Sequence, residues 1–258
     1  MADENLAIYK SLDKIPVIIS GGATGIGATL VSTFASQGSK VGFVDIAAAA
    51  GTALADRLSG EGRTVKFIEC DITDIPAYRA AVAEFAKVNG PALVLINNAA
   101  FDGRHDWREV TPEFWDARMA VNLKHAYFAI QAVAPAMIEA GRGSIINLGS
   151  ISWMTMLDEL TIYEPAKAAA HGLTRAFART LGGHGVRINT IVPGWVMTPR
   201  QLEFWVGPDE EKLIGATQAL KGRVYPEDVA RMALFLAAED SRMISAQQFL
   251  VDGGWANT

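Results

Sequence analysis

Cysteine is nearly missing from these 258 residues, and both basic clusters and long apolar runs are absent. The single cysteine, Cys70, cannot close an intrachain disulfide, and no Cys or His cluster of metal spacing follows it. It reads as a buried thiol in a reducing cytoplasm, and no metal is expected. Lys and Arg number 23 against 28 Asp and Glu, a formal charge of −5, and they are scattered. Without a basic run interleaved with aromatics, nucleic acid is not an expected partner. No stretch reaches about 18 apolar residues, so a membrane-spanning helix is not expected either. The start, MADENLAIYK, is acidic and has no apolar stretch behind a basic residue, so it does not read as a secretory signal.

Half of the residues are hydrophobic, enough to bury a large core in one domain spanning 1–258. Short β-branched runs supply strand candidates at Val17 to Ser20, Lys40 to Asp45, Thr64 to Glu69, Ala92 to Asn97, Gly143 to Leu148, Val186 to Val192 and Gln248 to Val251. Helical periodicity fills about 25–37, 47–60, 75–89, 112–139, 162–182 and 226–238. Continuous apolar strands separated by helices imply parallel strands covered on both faces, a doubly wound α/β sheet of Rossmann type with seven strands. A long irregular excursion at about 194–225 carries Trp195, Pro199, Phe204, Trp205 and Pro208, and reads as a lid or binding element.

Ser20-Gly21-Gly22-Ala23-Thr24-Gly25-Ile26-Gly27 follows the first strand and opens the first helix. Glycines at 21, 25 and 27 let the turn tighten and let backbone amides approach a pyrophosphate at the helix N-terminus. Asp45 ends the second strand, eighteen residues after Gly27, where an acid can bind both ribose hydroxyls of an adenosine. A helix N-cap is the plainer reading of Asp45. A carboxylate there repels a 2′-phosphate, and neither Ala23 nor Ile46 offers a compensating charge, so NAD is expected over NADP.

Ser150, Tyr163 and Lys167 suggest a proton-transfer group for alcohol oxidation or carbonyl reduction. A phenol of pKa about 10 needs roughly 4 kcal/mol of stabilisation to act as a base near neutrality. One ammonium about 4 Å away supplies that at an effective dielectric near 20. On a helix, positions 163 and 167 share a face one turn apart. Ser150, at the end of the preceding strand, can hold the substrate oxygen. Alone, the Tyr and Lys spacing reads first as an ordinary amphipathic pair on a surface helix.

Taken in order, the segments resemble the short-chain dehydrogenase/reductase family over essentially the whole chain. They are the glycine loop, Asp71 in CDIT, Asn97-Asn98-Ala99-Ala100, Asn122 in VNLK, Ser150 with Tyr163 and Lys167, and Pro193-Gly194 leading to Thr198. The resemblance implies that Asp71 and Ile72 frame the adenine, that Asn97, Asn98 and Ala99 support the central strand, and that Pro193, Gly194, Val196 and Thr198 lie along the nicotinamide. It implies that Lys167 also holds the nicotinamide ribose and that Asn122 positions a water relaying protons through Lys167; a polar kink in a long helix is the plain alternative. Family members are commonly tetramers, through the helices around 112–139 and 162–182. Three departures stand out: Ser20 for the usual Thr, Ala100 for the usual Gly, and Pro165 between base and lysine, which places the helix start close to Tyr163.

Within the family, FDGRH at 101–105, GSISW at 149–153, ELTIYE at 159–164, TPRQ at 198–201 and LKGR at 220–223 look like the bacterial aldose 1-dehydrogenases acting on D-xylose and L-arabinose. Trp153 and Trp195 offer apolar faces to a pyranose, Trp153 being the favoured platform. Asp102, His105, Ser152, Glu159 and Gln201 offer groups that pair hydroxyls. Plainer readings are lid core for Trp195, a solvated loop charge for Arg104 and a loop hydrogen bond for His105. The expected reaction is NAD-dependent oxidation of an anomeric hydroxyl to the aldonolactone. The alternatives are oxidoreduction of another alcohol or ketone, such as a 3-oxoacyl chain, and a catalytically silent cofactor sensor.

Overall fold

A computed structural model describes residues 6–157 and 159–256; the acidic start over residues 1–5 lies outside the described residues. Its strands are β1 Pro16–Ser20, β2 Lys40–Asp45, β3 Val65–Glu69, β4 Val94–Asn97, β5 Gly143–Leu148, β6 Val186–Pro193 and β7 Gln248–Val251. They form one parallel sheet in the order β3-β2-β1-β4-β5-β6-β7. Strand ends move by only one or two residues from the apolar pattern, as ladder ends do.

The helices are α1 Gly25–Ser36, α2 Ala48–Gly60, α3 Ile75–Asn89, α4 Pro112–Met119, α5 His125–Glu139, α6 Ser152–Thr155, α7 Tyr163–Gly182, α8 Pro199–Phe204, α9 Pro208–Thr217 and α10 Pro226–Ala237. Successive strand residues point to opposite faces, and β1 shows the consequence. Val17 and Ile19 pack with Leu30 and Phe34 of α1 and Leu234 of α10. Ile18 packs on the other face with Tyr78 and Phe85 of α3 and with Ile130 and Met137 of α5. Both faces are dry, which is why the strands read as unbroken apolar runs.

The strand order reverses between β1 and β4. Helices following these two strands leave on opposite faces, and a crevice opens beyond the strands' carboxyl ends. Local polar groups hold that end together. The buried Ser20 hydroxyl accepts from the Asn98 and Ala99 amides, at 3.1 and 3.2 Å, tying β1 to β4. Asn97 donates to Asn147 at 2.8 Å, Asn147 donates to Thr174 at 2.9 Å, and Thr174 meets Thr190 at 2.7 Å, so a buried polar chain crosses β4, β5, α7 and β6.

Three elements differ from expectation. The stretch 112–139 is α4 and α5 joined by a π turn over Ala120–Lys124, in which the His125 N–H bonds Ala120 O five residues back. The excursion at 194–225 is not irregular throughout, since it contains α8 and α9. Pro199 and Pro208 sit at helix starts, where proline's missing N–H costs nothing. A short turn, α6, follows Ser150, where no helix was expected.

Candidate active site

The crevice is a cleft of about 440 Å³ that runs from the glycine loop to the segment 194–225. Gly21 and Gly25 adopt φ of 67° and 53°, the left-handed region where a side chain would be strained. A Cβ on Gly27 would stand 1.8 Å from the Gly21 carbonyl oxygen, so only glycine lets α1 start this close to the loop. Thr24 precedes α1 without a side-chain cap bond. Gly21, Thr24, Ile26 and Gly27 of the loop, Asp45 and Ile46, Asp71 and Ile72, Asn98 and Ala99, and Pro193, Gly194, Trp195, Val196 and Thr198 all border the same cleft, while Gly25 does not. This long channel, with a bare helix N-terminus at its middle and carboxylates at one end, suits a dinucleotide.

Asp45 does more than either reading of it required. Its Oδ2 accepts from the Ala23 amide at 2.9 Å and its Oδ1 from the Ala47 amide at 3.0 Å, joining the glycine loop to the start of α2. Asp71 closes a turn on Thr73, accepting from its amide and its hydroxyl at 2.8 and 2.7 Å. Gly194 packs on Asp252, where a Cβ would stand 2.7 Å from the Asp252 Cα. Val196 is buried and pairs with Val224, while the Thr198 hydroxyl caps α8 by accepting from the Gln201 amide at 3.2 Å.

Ser150, Tyr163 and Lys167 meet in the cleft. Helix α7 begins at Tyr163, so Pro165 falls in its first turn, where amides have no helical partner to lose. Lys167 therefore lies one turn along the same face. It is 4% exposed, its Nζ sits 5.6 Å from the centre of the Tyr163 ring, and it donates to Leu148 O at 2.8 Å. The expected direct grip of the ammonium on the phenol is not what the bonds show, because buried backbone holds the ammonium instead. Burial pulls the Lys167 pKa down to about 8, against the opposing charge of Asp102. Burial first, and Asp102 second, push the Tyr163 phenol above its ordinary value, while the Ser150 hydroxyl works the other way. The Ser150 Oγ also accepts from the Ser152 amide at 3.1 Å.

Asn122 lies in the π turn, 4% exposed. Its carboxamide accepts from the Phe101 amide at 2.8 Å and donates to Phe101 O at 3.1 Å. The π turn carries the side chain onto the backbone of Phe101, next to Asp102.

The end of the cleft away from the glycine loop is walled by Asp102, Ser152, Trp195 and Gln201, joined by Trp205 of the 194–225 segment and by Trp255, which sequence reasoning left out. Trp195 Nε1 donates to Gln201 Oε1 at 2.9 Å, and Gln201 Nε2 donates to Asp102 Oδ2 at 2.6 Å. Trp195 stacks on Trp255 with ring centres 6.3 Å apart. Only the glycine pair at 253–254, which turns the chain after β7, hinted that Trp255 returns to the site. The Ser152 hydroxyl is buried and has no partner among the described residues.

Three expected substrate residues are not in this wall. Trp153 is 36% exposed and outside the cleft, because the turn α6 buries Ile151 and Ser152 and rotates the next residue outward. His105 is held in its loop by Gly103 O at 3.3 Å and the Thr161 hydroxyl at 3.0 Å, which is the plainer reading of it. Glu159, at φ 66°, lies beside a neighbouring cavity and faces Arg104 at 3.9 Å. Arg104 itself is no solvated loop charge: it borders the cleft and stacks over Trp205, 4.2 Å from the ring centre.

A family model described as enoyl-(acyl carrier protein) reductase matches residues 21–256. The chain is 45% identical over 249 residues to the D-xylose 1-dehydrogenase of Caulobacter vibrioides (strain NA1000 / CB15N), covering 96% of this chain and 98% of that protein. It is 41% identical over 239 residues to a protein of Rhizobium meliloti (strain 1021) described as a probable galactose dehydrogenase, covering 92% and 93%. Among solved structures, 7 alpha-hydroxysteroid dehydrogenase complexed with NADH and 7-oxo glycochenodeoxycholic acid matches with a TM-score of 0.91 at 29% identity over 97% of each chain. A family match over most of the chain and near end-to-end likeness to dehydrogenases leave one conclusion: the chain is an oxidoreductase of the short-chain dehydrogenase/reductase family.

Proposed function

We propose that the protein oxidises the anomeric C1 hydroxyl of an aldopyranose, a pentose or related sugar such as D-xylose, L-arabinose or D-galactose, to the aldonolactone, with NAD as the acceptor. The observation that carries this reading is the substrate wall, where Asp102, Gln201 and the unpartnered Ser152 hydroxyl stand with the stacked Trp195 and Trp255 beside the Tyr163 group. Indole faces suit the C–H side of a sugar ring, and polar groups that would otherwise stay unpaired reject substrates lacking hydroxyls. The relatives named above as D-xylose and probable galactose dehydrogenases support the same substrate class.

Bound at the glycine loop, NAD supplies a hydride acceptor. Ser150 holds the C1 oxygen, and Tyr163 removes its proton. Lys167 keeps positive charge beside the phenol and holds the nicotinamide ribose. Asn122 fixes the Phe101 backbone and, by the family pattern, positions the water through which Lys167 exchanges protons. Asp45 favours NAD over NADP by repelling a 2′-phosphate. The whole chain works as one catalytic domain with 194–225 as its lid, in the cytoplasm, as a homotetramer built through α4, α5 and α7.

Purified protein mixed with NAD or NADP and a panel of pentoses, hexoses, secondary alcohols and a 3-oxoacyl ester tests this by absorbance of the reduced cofactor. Turnover of aldoses well above the other classes is expected. Turnover of the oxoacyl ester alone would replace the sugar reading, and no turnover with any class would favour a cofactor sensor. Sedimentation of the purified protein checks the tetramer.

A further inference from the structure

Beside the main cleft lies a second cavity of about 260 Å³. Arg104, Leu157 and Trp195 border both, so the two spaces meet along a shared wall that includes the proposed sugar platform. Glu159, Asp209, Glu210 and Leu213 border the second cavity alone. A water's share of liquid volume is about 30 Å³, so this space has room for a ring-sized group rather than a single solvent molecule.

The lining combines an indole, two leucine side chains and three carboxylates, of which the Glu159 and Asp209 side chains are 60% and 89% exposed. Each carboxylate engages one oxygen within the protein. Glu159 Oε2 faces Arg104 at 3.9 Å, Asp209 Oδ1 accepts from Lys212 at 2.9 Å, and Glu210 Oε2 accepts from the Gly207 amide at 2.9 Å. Their second oxygens have no partner among the described hydrogen bonds, and stand ready to accept from hydroxyls. Three carboxylates against one guanidinium disfavour a phosphate or a uronate here. Arg104 is fixed over Trp205, so the shared wall is anchored rather than loose.

We propose that this annex holds a second, uncharged glycosyl unit attached to the far side of the sugar whose C1 is oxidised, so that the substrate class includes reducing disaccharides. The inference rests on the sugar reading of the main cleft. Chemistry at C1 is unchanged: its hydride goes to NAD, its hydroxyl proton to Tyr163, and the glycosidic bond stays intact.

The test compares D-xylose and D-galactose, each with its β-1,4-linked disaccharide, by kcat/KM with NAD. Native protein should oxidise at least one disaccharide within about tenfold of its monosaccharide. Leu213→Trp fills the annex without touching the main cleft. Leu213 is 42% exposed, so a larger side chain has solvent to extend into, and Leu213→Phe serves as a milder filler. Both variants should lower disaccharide turnover about tenfold while monosaccharide turnover stays within about twofold. Oxidation of monosaccharides but of neither disaccharide overturns the inference, as does a parallel loss of both in the filled variants. Failure of every monosaccharide strikes the sugar reading itself, and this inference with it.

Discussion

Tyr163 in the free cleft is a phenol, because burial and the Asp102 charge both raise its pKa and only the Ser150 hydroxyl opposes them. Oxidation needs the phenolate, so the rate should rise with pH along an acid limb that Tyr163 controls. Replacing Tyr163 by Phe should lower kcat by about 10²–10⁴ while NAD still binds, as read by turnover and by cofactor fluorescence. Near-native turnover would remove Tyr163 from the chemistry. Asp102→Asn takes away a negative charge that disfavours the phenolate. The acid limb of kcat should therefore move to lower pH, by about one unit or less because Asp102 is partly solvated. An unmoved limb would show that the Asp102 charge does not reach the base. At the other end of the channel, Asp45→Ala removes the group that repels a 2′-phosphate. It also frees the Ala23 and Ala47 amides, so NAD affinity should fall while NADP gains relative to it. An unchanged ratio of kcat/KM for the two cofactors would count against Asp45 as the discriminator.

At the scale of elements, what was legible in the sequence is what local periodicity controls. Dry strands read as apolar runs, so β1 through β7 were recognisable to within a residue or two. The glycine loop was legible because positive φ at Gly21 and the close approach at Gly27 permit only one residue type. The π turn over Ala120–Lys124 was not legible, because its cause is tertiary: Asn122 reaches sideways for the Phe101 backbone, and the helix admits an extra residue per turn to let it. The orientation of α6 was equally hidden, since Trp153 has nothing in its own sequence context to say that Ile151 and Ser152 take the buried side. Helix α8 lay inside the excursion read as irregular, and at six residues it is too short for helical periodicity to show. That helix is latched to the β4 loop by Gln201 and Arg200, which meet the two Asp102 oxygens at 2.6 and 3.6 Å, and Arg200 also lies 5.3 Å from the Phe101 ring centre. Gln201→Ala should loosen the latch and free the Trp195 indole, raising KM for the sugar several-fold more than it lowers kcat. Equal effects on an aldose and on a small alcohol would mean that Gln201 only stabilises the segment 194–225.

For the whole molecule, the buried ionisable groups tie stability to pH in a way that no motif announced. His125 opens α5 at 2% exposure, and neither ring nitrogen has a hydrogen-bond partner of good geometry among the described residues. Burial, and then the nearby Lys167 charge, pull its pKa from an ordinary 6.5 down to about 3, with only the Ala120 and Val121 carbonyls working the other way. The folded chain thus keeps His125 neutral where the unfolded chain protonates it. A group depressed on folding contributes its full stability above the unfolded value and loses it as pH falls toward the folded one. Unfolding free energy should therefore decline between about pH 6.5 and 3, by up to roughly 5 kcal/mol from this residue at 1.36 per unit. Carboxylates that titrate in the same range also contribute to acid lability, so the decisive quantity is a difference. Urea titrations of the native chain and of His125→Phe, run at pH 7 and pH 4.5, should show a smaller drop for the variant. Lys167, held near 8, is protonated throughout that range and cannot produce the difference. Equal drops would mean that water or backbone solvates the imidazolium inside the fold, and that α5 opens to it before the sheet gives way.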